Sequence, residues 1–160
     1  RVVFGPRDPS YISPILSSIQ SDLCESGIDG VLSTHIQRDA LEKFSYVSPI
    51  GAAGVYLHAV AGDFQKEGAA RELFKSMIRE ISTLAAAMGY PFEKDYVKIN
   101  LEILSNLSAD ATTSMQRDIM EGKPSELDGL VMEPLRLAKK YSVSMPCYEE
   151  VANALCPLEF

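Results

Sequence analysis

Two short blocks hold the residue types that could do chemistry. Leu41-Glu42-Lys43-Phe44 offers an amine, and Thr112 to Asp128 offers the hydroxyl of Ser114 and the carboxylate of Glu126. By spacing alone, Lys43 reads as a solvated helix lysine and Ser114 as a surface or capping serine. Glu126 reads as a first-turn glutamate favoured by the helix dipole. Other chemistries leave no trace. There is no GxGxxG and no P-loop, so no phosphate-cradling turn is written in the chain. His35 and His58 stand far apart without partners at metal-ligand spacing, and no metal site is expected. Cys24, Cys147 and Cys156 lack CxxC spacing, which argues against a disulfide framework and fits a reducing cytoplasm.

The elements that would position these blocks are mostly helices. Val2 to Phe4 is a short apolar run before Gly5-Pro6, as in an edge or final strand. Asp8 to Ser10 offers cap chemistry for a helix carrying Ile12, Ile15, Leu16, Ile19 and Leu23, which stops at Gly27. Ile28 to Leu32 is a second possible strand. From Ile36 the pattern is helical. Gln37 to His58 is apolar on one face, with Pro49 and Gly51 expected to kink or break it. Gly51 and Gly54 read as close-packing positions. Gly68 to Met88 carries Leu73, Met77, Ile81, Leu84 and Met88 and stops at Gly89-Tyr90-Pro91. Helices are further expected over Tyr96 to Leu107, over Thr112 to Met120, from a Ser125 cap through Ala138 with a bend at Pro134, and near Glu149 to Leu155 before Pro157.

The chain of 160 residues suits one domain with a sizeable core, and 46% hydrophobic with 23% charged residues is an ordinary soluble mixture. A net charge of -7 argues against nucleic acid as a partner. No apolar run reaches membrane-span length, and the start at Arg1 does not read as a signal peptide. It reads as a strand continuing from a longer chain.

The block from 112 to 128 closely resembles the pattern SSM-x-x-D-x-x-x-G-x-x-T-E-I-D of ketopantoate reductases. Asp118, Gly122, Glu126 and Asp128 fall in register, and Ser125 replaces the usual Thr. Leu41 to Lys43 resembles that family's W-x-K helix, with Leu41 for Trp. Ala85 to Tyr90 resembles its "ara-x-Gi" helix end, and Tyr141 to Pro146 its "hGI-x-x-P" segment. Arg1 to Gly5 resembles the last strand of its nucleotide-binding domain.

The resemblance implies an all-α helical bundle at 35–160, similar to the C-terminal domain of 6-phosphogluconate dehydrogenase. A short strand-helix tail of a Rossmann-like domain would precede it at 1–34. It implies a reductase of the pantothenate pathway that converts the 2-oxo acid 2-dehydropantoate, or a relative, to a 2-hydroxy acid. NADP would be bound mainly by an N-terminal domain outside this chain, so the fragment alone would be inactive. Lys43 matches the catalytic lysine, which would be partly buried in a cleft and would give the ketone oxygen its proton. Ser114 matches a serine that hydrogen-bonds substrate, and Glu126 a glutamate that binds and orients it. A homodimer would be the assembly.

Three departures bear on the substrate. Val47, Gly51 and Ala111 stand where the family usually places asparagines. Losing hydrogen bonds of about 0.5–1.5 kcal/mol each weakens pantoate-type recognition. Either the protein acts on a more apolar 2-oxo acid, or it has kept the scaffold without the reaction. The competing class is a non-catalytic helical module for dimerisation or small-molecule binding.

Overall fold

The computed structural model describes residues 1–8, 10–11 and 13–155. The chain divides into two compact units, Arg1–Leu41 and Glu42–Phe160.

The first unit holds β1 (Val2–Phe4), α1 (Pro14–Glu25) and β2 (Gly30–Leu32). The strands pair in parallel, with Val2 opposite Gly30, Val3 opposite Val31 and Phe4 opposite Leu32. Two parallel strands need a crossover, and α1 provides it. The cap of α1 is not drawn from Asp8 to Ser10. The Asp8 carboxylate instead accepts from the backbone N–H of Ser10 at 2.9 Å, closing a turn of its own. Ser13 is the cap, directly before Pro14 at the first helical turn, where the missing N–H costs nothing. Ile12 lies outside the described residues.

From Ile36 on, every described element is helical: α2 (Ile36–Leu57), α3 (Ala61–Gln65), α4 (Ala69–Ala87), α5 (Tyr96–Ser105), α6 (Ser114–Met120), a π-helical turn (Asp128–Met132), α7 (Glu133–Tyr141) and α8 (Pro146–Leu155). The core gathers Phe64, Phe74, Met77, Ile81, Leu104, Met145, Tyr148 and Val151. Helix α4 shows why the pattern reads so clearly. Its buried residues Phe74, Met77, Ile78, Ile81, Leu84 and Ala85 recur every three or four positions. It ends where Gly89 takes φ +90°, and the Tyr90 N–H returns to the Ala85 carbonyl at 2.8 Å.

Helix α2 runs unbroken through Pro49. A proline inside a helix leaves the carbonyl four residues earlier without its N–H partner. Here that carbonyl belongs to Ser45, and the side-chain amide of buried Asn100 donates to it at 3.0 Å. The same amide donates to Ser45 Oγ at 3.1 Å. Pro134 repeats the problem. The carbonyl it leaves free is Leu130's, and Ser48 Oγ on α2 donates to it at 2.6 Å. The sequence expectation of a helix capped by Ser125 and bent at Pro134 is therefore corrected. The segment starts as a π-turn at Asp128, and regular helix follows from Glu133. Arg136 clamps this junction by pairing with both Asp128 and Glu133.

Helix α8 begins at Pro146, three residues before the expected Glu149. Its cap comes from another helix. The Glu80 carboxylate on α4 accepts from the N–H groups of Cys147 at 2.8 Å and Tyr148 at 3.1 Å. No helix of the described residues is long and apolar enough to cross a membrane.

Candidate active site

Helix α2 is the frame. Ser48 meets the carbonyl of Leu130 on the π-turn, and three residues later Gly51 faces α6. A Cβ at Gly51 would lie 3.1 Å from Met115 Cε and 3.9 Å from Leu130 Cδ1 and Thr113 Oγ1. One turn further, a Cβ at Gly54 would press to 2.7–2.9 Å from the Gln116 side-chain amide. Both glycines are thus close-packing positions. They let α6 and the π-turn seat directly on α2.

The start of α6 is built by Thr113 and Gln116, a reciprocal cap. Thr113 Oγ1 accepts from the Gln116 N–H at 3.2 Å, and Gln116 Oε1 accepts from the Thr113 N–H at 2.9 Å. The other end of the same amide donates to the Ala59 carbonyl at 2.8 Å, fixing α6 to the end of α2. The loop leading in is held from α3. The N–H groups of Ala61 and Gly62 donate to the carbonyls of Ala111 at 2.9 Å and Ala109 at 2.8 Å. Ser114 follows as the first residue of α6, with its side chain exposed.

Glu126 lies four residues before Leu130, and its carbonyl accepts the Leu130 N–H at 2.9 Å. Its side chain is exposed. Lys43 sits on α2 five residues before Ser48, about 7.5 Å along the axis at the usual rise per residue. It is exposed as well, so the expected partial burial of this lysine is not met within this chain. Among the described residues, no hydrogen bond or ion pair joins the side chains of Lys43, Ser114 and Glu126 to one another or to other groups. The three therefore come from elements that meet at Ser48 to Gly51, and all three present uncommitted polar ends to solvent.

Two cavities flank α6. One of about 440 Å³ is lined by Val55, His58, Val60, Ile119 and Met120, among others. A smaller one of about 200 Å³ includes Tyr46, Ile50, Phe64 and Ala111 in its wall. His35 and His58 are exposed, and among the described residues no cluster of three metal-ligating side chains occurs. Sequence reading missed Tyr46, Ser48, Asn100, Gln116 and Tyr148. The Pro49 and Pro134 signals could have prompted a search for donors to the freed carbonyls, but not their identity.

Residues 35–159 match the family model described as Ketopantoate reductase PanE/ApbA C terminal. The chain belongs to this family. It is 24% identical over 121 residues to an uncharacterized oxidoreductase, YkpB, of Bacillus subtilis (strain 168), covering 76% of this chain and 40% of that protein. Its fold is similar to that of a 2-dehydropantoate 2-reductase from Geobacter metallireducens GS-15, with TM-score 0.85 and 22% identity over 96% of this chain and 51% of that one. The fold is similar too to that of the 2-dehydropantoate 2-reductase from Methylococcus capsulatus, with TM-score 0.82 and 23% identity over 93% of this chain and 47% of that one. The chain thus spans about half the length, or less, of the proteins it matches.

Several residues of the ketopantoate reductase pattern now have structural reasons. Gly122 takes φ +66° in the turn that ends α6, a conformation that favours glycine. Asp128 holds Arg136, whose hydrogen bond pulls the Asp128 carboxyl below the usual carboxylate range. Where the ketopantoate reductase pattern leads one to expect an amide at position 51, Met115 fills the space against bare backbone. The stretch from Gly5 to Ser13 has a single glycine and two prolines, and Ser13 caps α1. That composition does not fit a dinucleotide pyrophosphate, which needs close backbone approach at a glycine-rich helix start.

Proposed function

We propose that this chain is the substrate-side domain of a 2-oxo acid reductase, acting on 2-dehydropantoate or a more apolar relative. NADP would be held by protein beyond these residues, since the glycine-poor sequence before α1 does not suit it. What this chain contributes is the chemistry at the ketone. As the carbonyl carbon is reduced, negative charge builds on its oxygen, and a donor within hydrogen-bond reach lowers the barrier. Lys43 is the proton donor, Ser114 donates a hydrogen bond to substrate, and Glu126 orients it. The observation that most supports this reading is the seating of α6 and the π-turn on Ser48 to Gly51. It draws the segments bearing the hydroxyl and the carboxylate to the helix that bears the amine. Exposure of all three side chains fits a face that a second domain closes over. Closure would exclude water and strengthen each polar contact.

The test is oxidation of NADPH by the full-length parent against a panel of 2-oxo acids. Lys43→Ala should lower kcat by about 100-fold or more, the usual worth of a placed proton donor. Turnover within tenfold of the parent would remove Lys43 from the reaction. The amide-free positions Val47, Gly51 and Ala111 favour the second reading, a non-catalytic module for dimerisation or small-molecule binding. Failure of the parent to reduce any 2-oxo acid would select it.

A further inference from the structure

The three groups assigned to the ketone carry one positive charge, on Lys43, and one negative charge, on Glu126, while Ser114 is neutral. A 2-oxo acid brings a second negative charge, the carboxylate next to its ketone. With Lys43 turned to the ketone oxygen, that carboxylate has no cation and shares the site with Glu126. Like charges so placed repel. The set therefore lacks a cation beside Ser114, and Arg117 stands there.

Arg117 follows Ser114 at i+3 on α6, a spacing that makes side chains neighbours, and both residues are exposed. The arginine side chain runs back along the helix. Its Nη1 donates to the Thr112 carbonyl at 2.8 Å and to Thr112 Oγ1 at 3.3 Å. Thr112 is two residues before Ser114, at most about 7 Å along the chain. The guanidinium is thus held at the same end of α6 as the Ser114 hydroxyl. This anchor engages one nitrogen and leaves the fork of Nε and Nη2 over. Among the described residues no carboxylate takes that fork. Glu121 lies at i+4 on α6's own turn, yet it pairs with Lys123 instead. In a chain of net charge -7, Arg117 remains a cation without an acid. The loop before α6 has little else to give a ligand. Ser108 is bound to Asp110, Thr113 to Gln116, and Ala109 and Ala111 carry no polar side chain.

We propose, resting on the 2-oxo acid reading above, that Arg117 binds the substrate's carboxylate through Nε and Nη2, beside the Ser114 hydroxyl. The planar fork matches the two oxygens of a carboxylate, and Lys43 is left free for the ketone. The Thr112 anchor fixes the guanidinium in advance, so less side-chain freedom is lost on binding. Arg117 then sets the substrate class. The group next to the ketone has to be an ionised acid, which favours 2-oxo acids over their esters, their amides and simple ketones.

The test uses the full-length parent with NADPH, the 2-oxo acid of the panel that it reduces fastest, and the methyl ester of that acid. Arg117→Gln should raise KM for the acid about 30-fold, the usual worth of a hydrogen bond to a charged group. Its kcat should stay within about threefold, because the carboxylate takes no part in the reduction. The uncharged ester should lose no more than about threefold in kcat/KM. That contrast separates binding from structure, since an arginine that only pins the loop at Thr112 costs acid and ester alike. Arg117→Lys keeps the charge and loses the fork, so its KM for the acid should fall between those of the parent and Arg117→Gln. Equal losses for acid and ester in Arg117→Gln, or an acid KM within about threefold of the parent's, overturn the role of Arg117 and leave the reductase reading standing. A parent that reduces no 2-oxo acid overturns that reading, and with it the assignment of Arg117 to a substrate.

Discussion

Ser48 Oγ donates to the Leu130 carbonyl at 2.6 Å, across 82 residues of sequence. That uses its one proton. The 2.5 Å contact between Ser48 Oγ and the Tyr148 hydroxyl therefore has Tyr148 as donor. Burial pushes the Tyr148 phenol far up, so it stays protonated and available to donate. One hydroxyl thus closes the gap left by Pro134 and pairs the largest fully buried side chain of the core. Ser48→Ala leaves a buried carbonyl and a buried phenol unpaired. Stability should fall by about 2–4 kcal/mol, and urea unfolding monitored by circular dichroism should show it. A loss below 0.5 kcal/mol would mean water or a shifted Tyr148 replaces the link.

Asn100 and Pro49 should be coupled. Asn100→Leu strands the Ser45 carbonyl, at a cost of about 1–3 kcal/mol. In a Pro49→Ala background a backbone N–H returns to bond that carbonyl, so the same substitution should cost markedly less. A double-mutant cycle by chemical denaturation measures the difference. Additive losses would show that Asn100 acts through something other than the proline gap.

Gly54→Ala forces a methyl into the Gln116 amide, which already holds Thr113 and Ala59. The expected loss is about 1–3 kcal/mol, and hydrogen exchange should quicken at the first N–H groups of α6. Gly129→Ala, with nothing within 4 Å of the added carbon, serves as the mild control.

The cysteines should differ in reactivity. Cys24 is exposed, whereas burial, with Glu80 adding to it, pushes the Cys147 thiol up to about 11. Thiolate is the reactive form, so iodoacetamide at pH 8 should modify Cys24 well before Cys147, as peptide mass mapping would show. Linkage gives the sign for stability. The folded-state value is raised, so this contribution is whole below about pH 9. It is lost as pH rises through about 11, where only the unfolded chain readily ionises. Cys147→Ser should flatten that alkaline decline. Cys156 lies outside the described residues.

How much of this was legible in the sequence follows from where each partner sits. Helix α4 was readable because its apolar stripe and its Gly89 stop are local. The α8 boundary was misplaced because Glu80, its cap, lies 67 residues before Cys147. Helix α3, of five residues, was overlooked because its first N–H groups are met by the 109–111 loop rather than by its own side chains, Asp63 apart. Pro49 is expected from the sequence to kink or break α2 because a proline's local effect is written in the chain and the amide that compensates it is not. At the candidate site, Lys43, Ser114 and Glu126 were found through the 41–44 and 112–128 patterns. Tyr46 carries no pattern at all, and its buried, unpartnered hydroxyl is revealed only by packing.

The two proline gaps also bear on how the domain acquires its shape. Asn100 and Ser48 reach their carbonyls from 55 and 82 residues away. Neither α2 nor the π-turn can complete its backbone bonding until distant chain has arrived. A peptide spanning 36–57 should therefore fray around Pro49 when excised. In the intact chain, burying these two carbonyls without loss depends on partners that only assembly supplies, which ties the helix bearing Lys43 to the rest of the bundle.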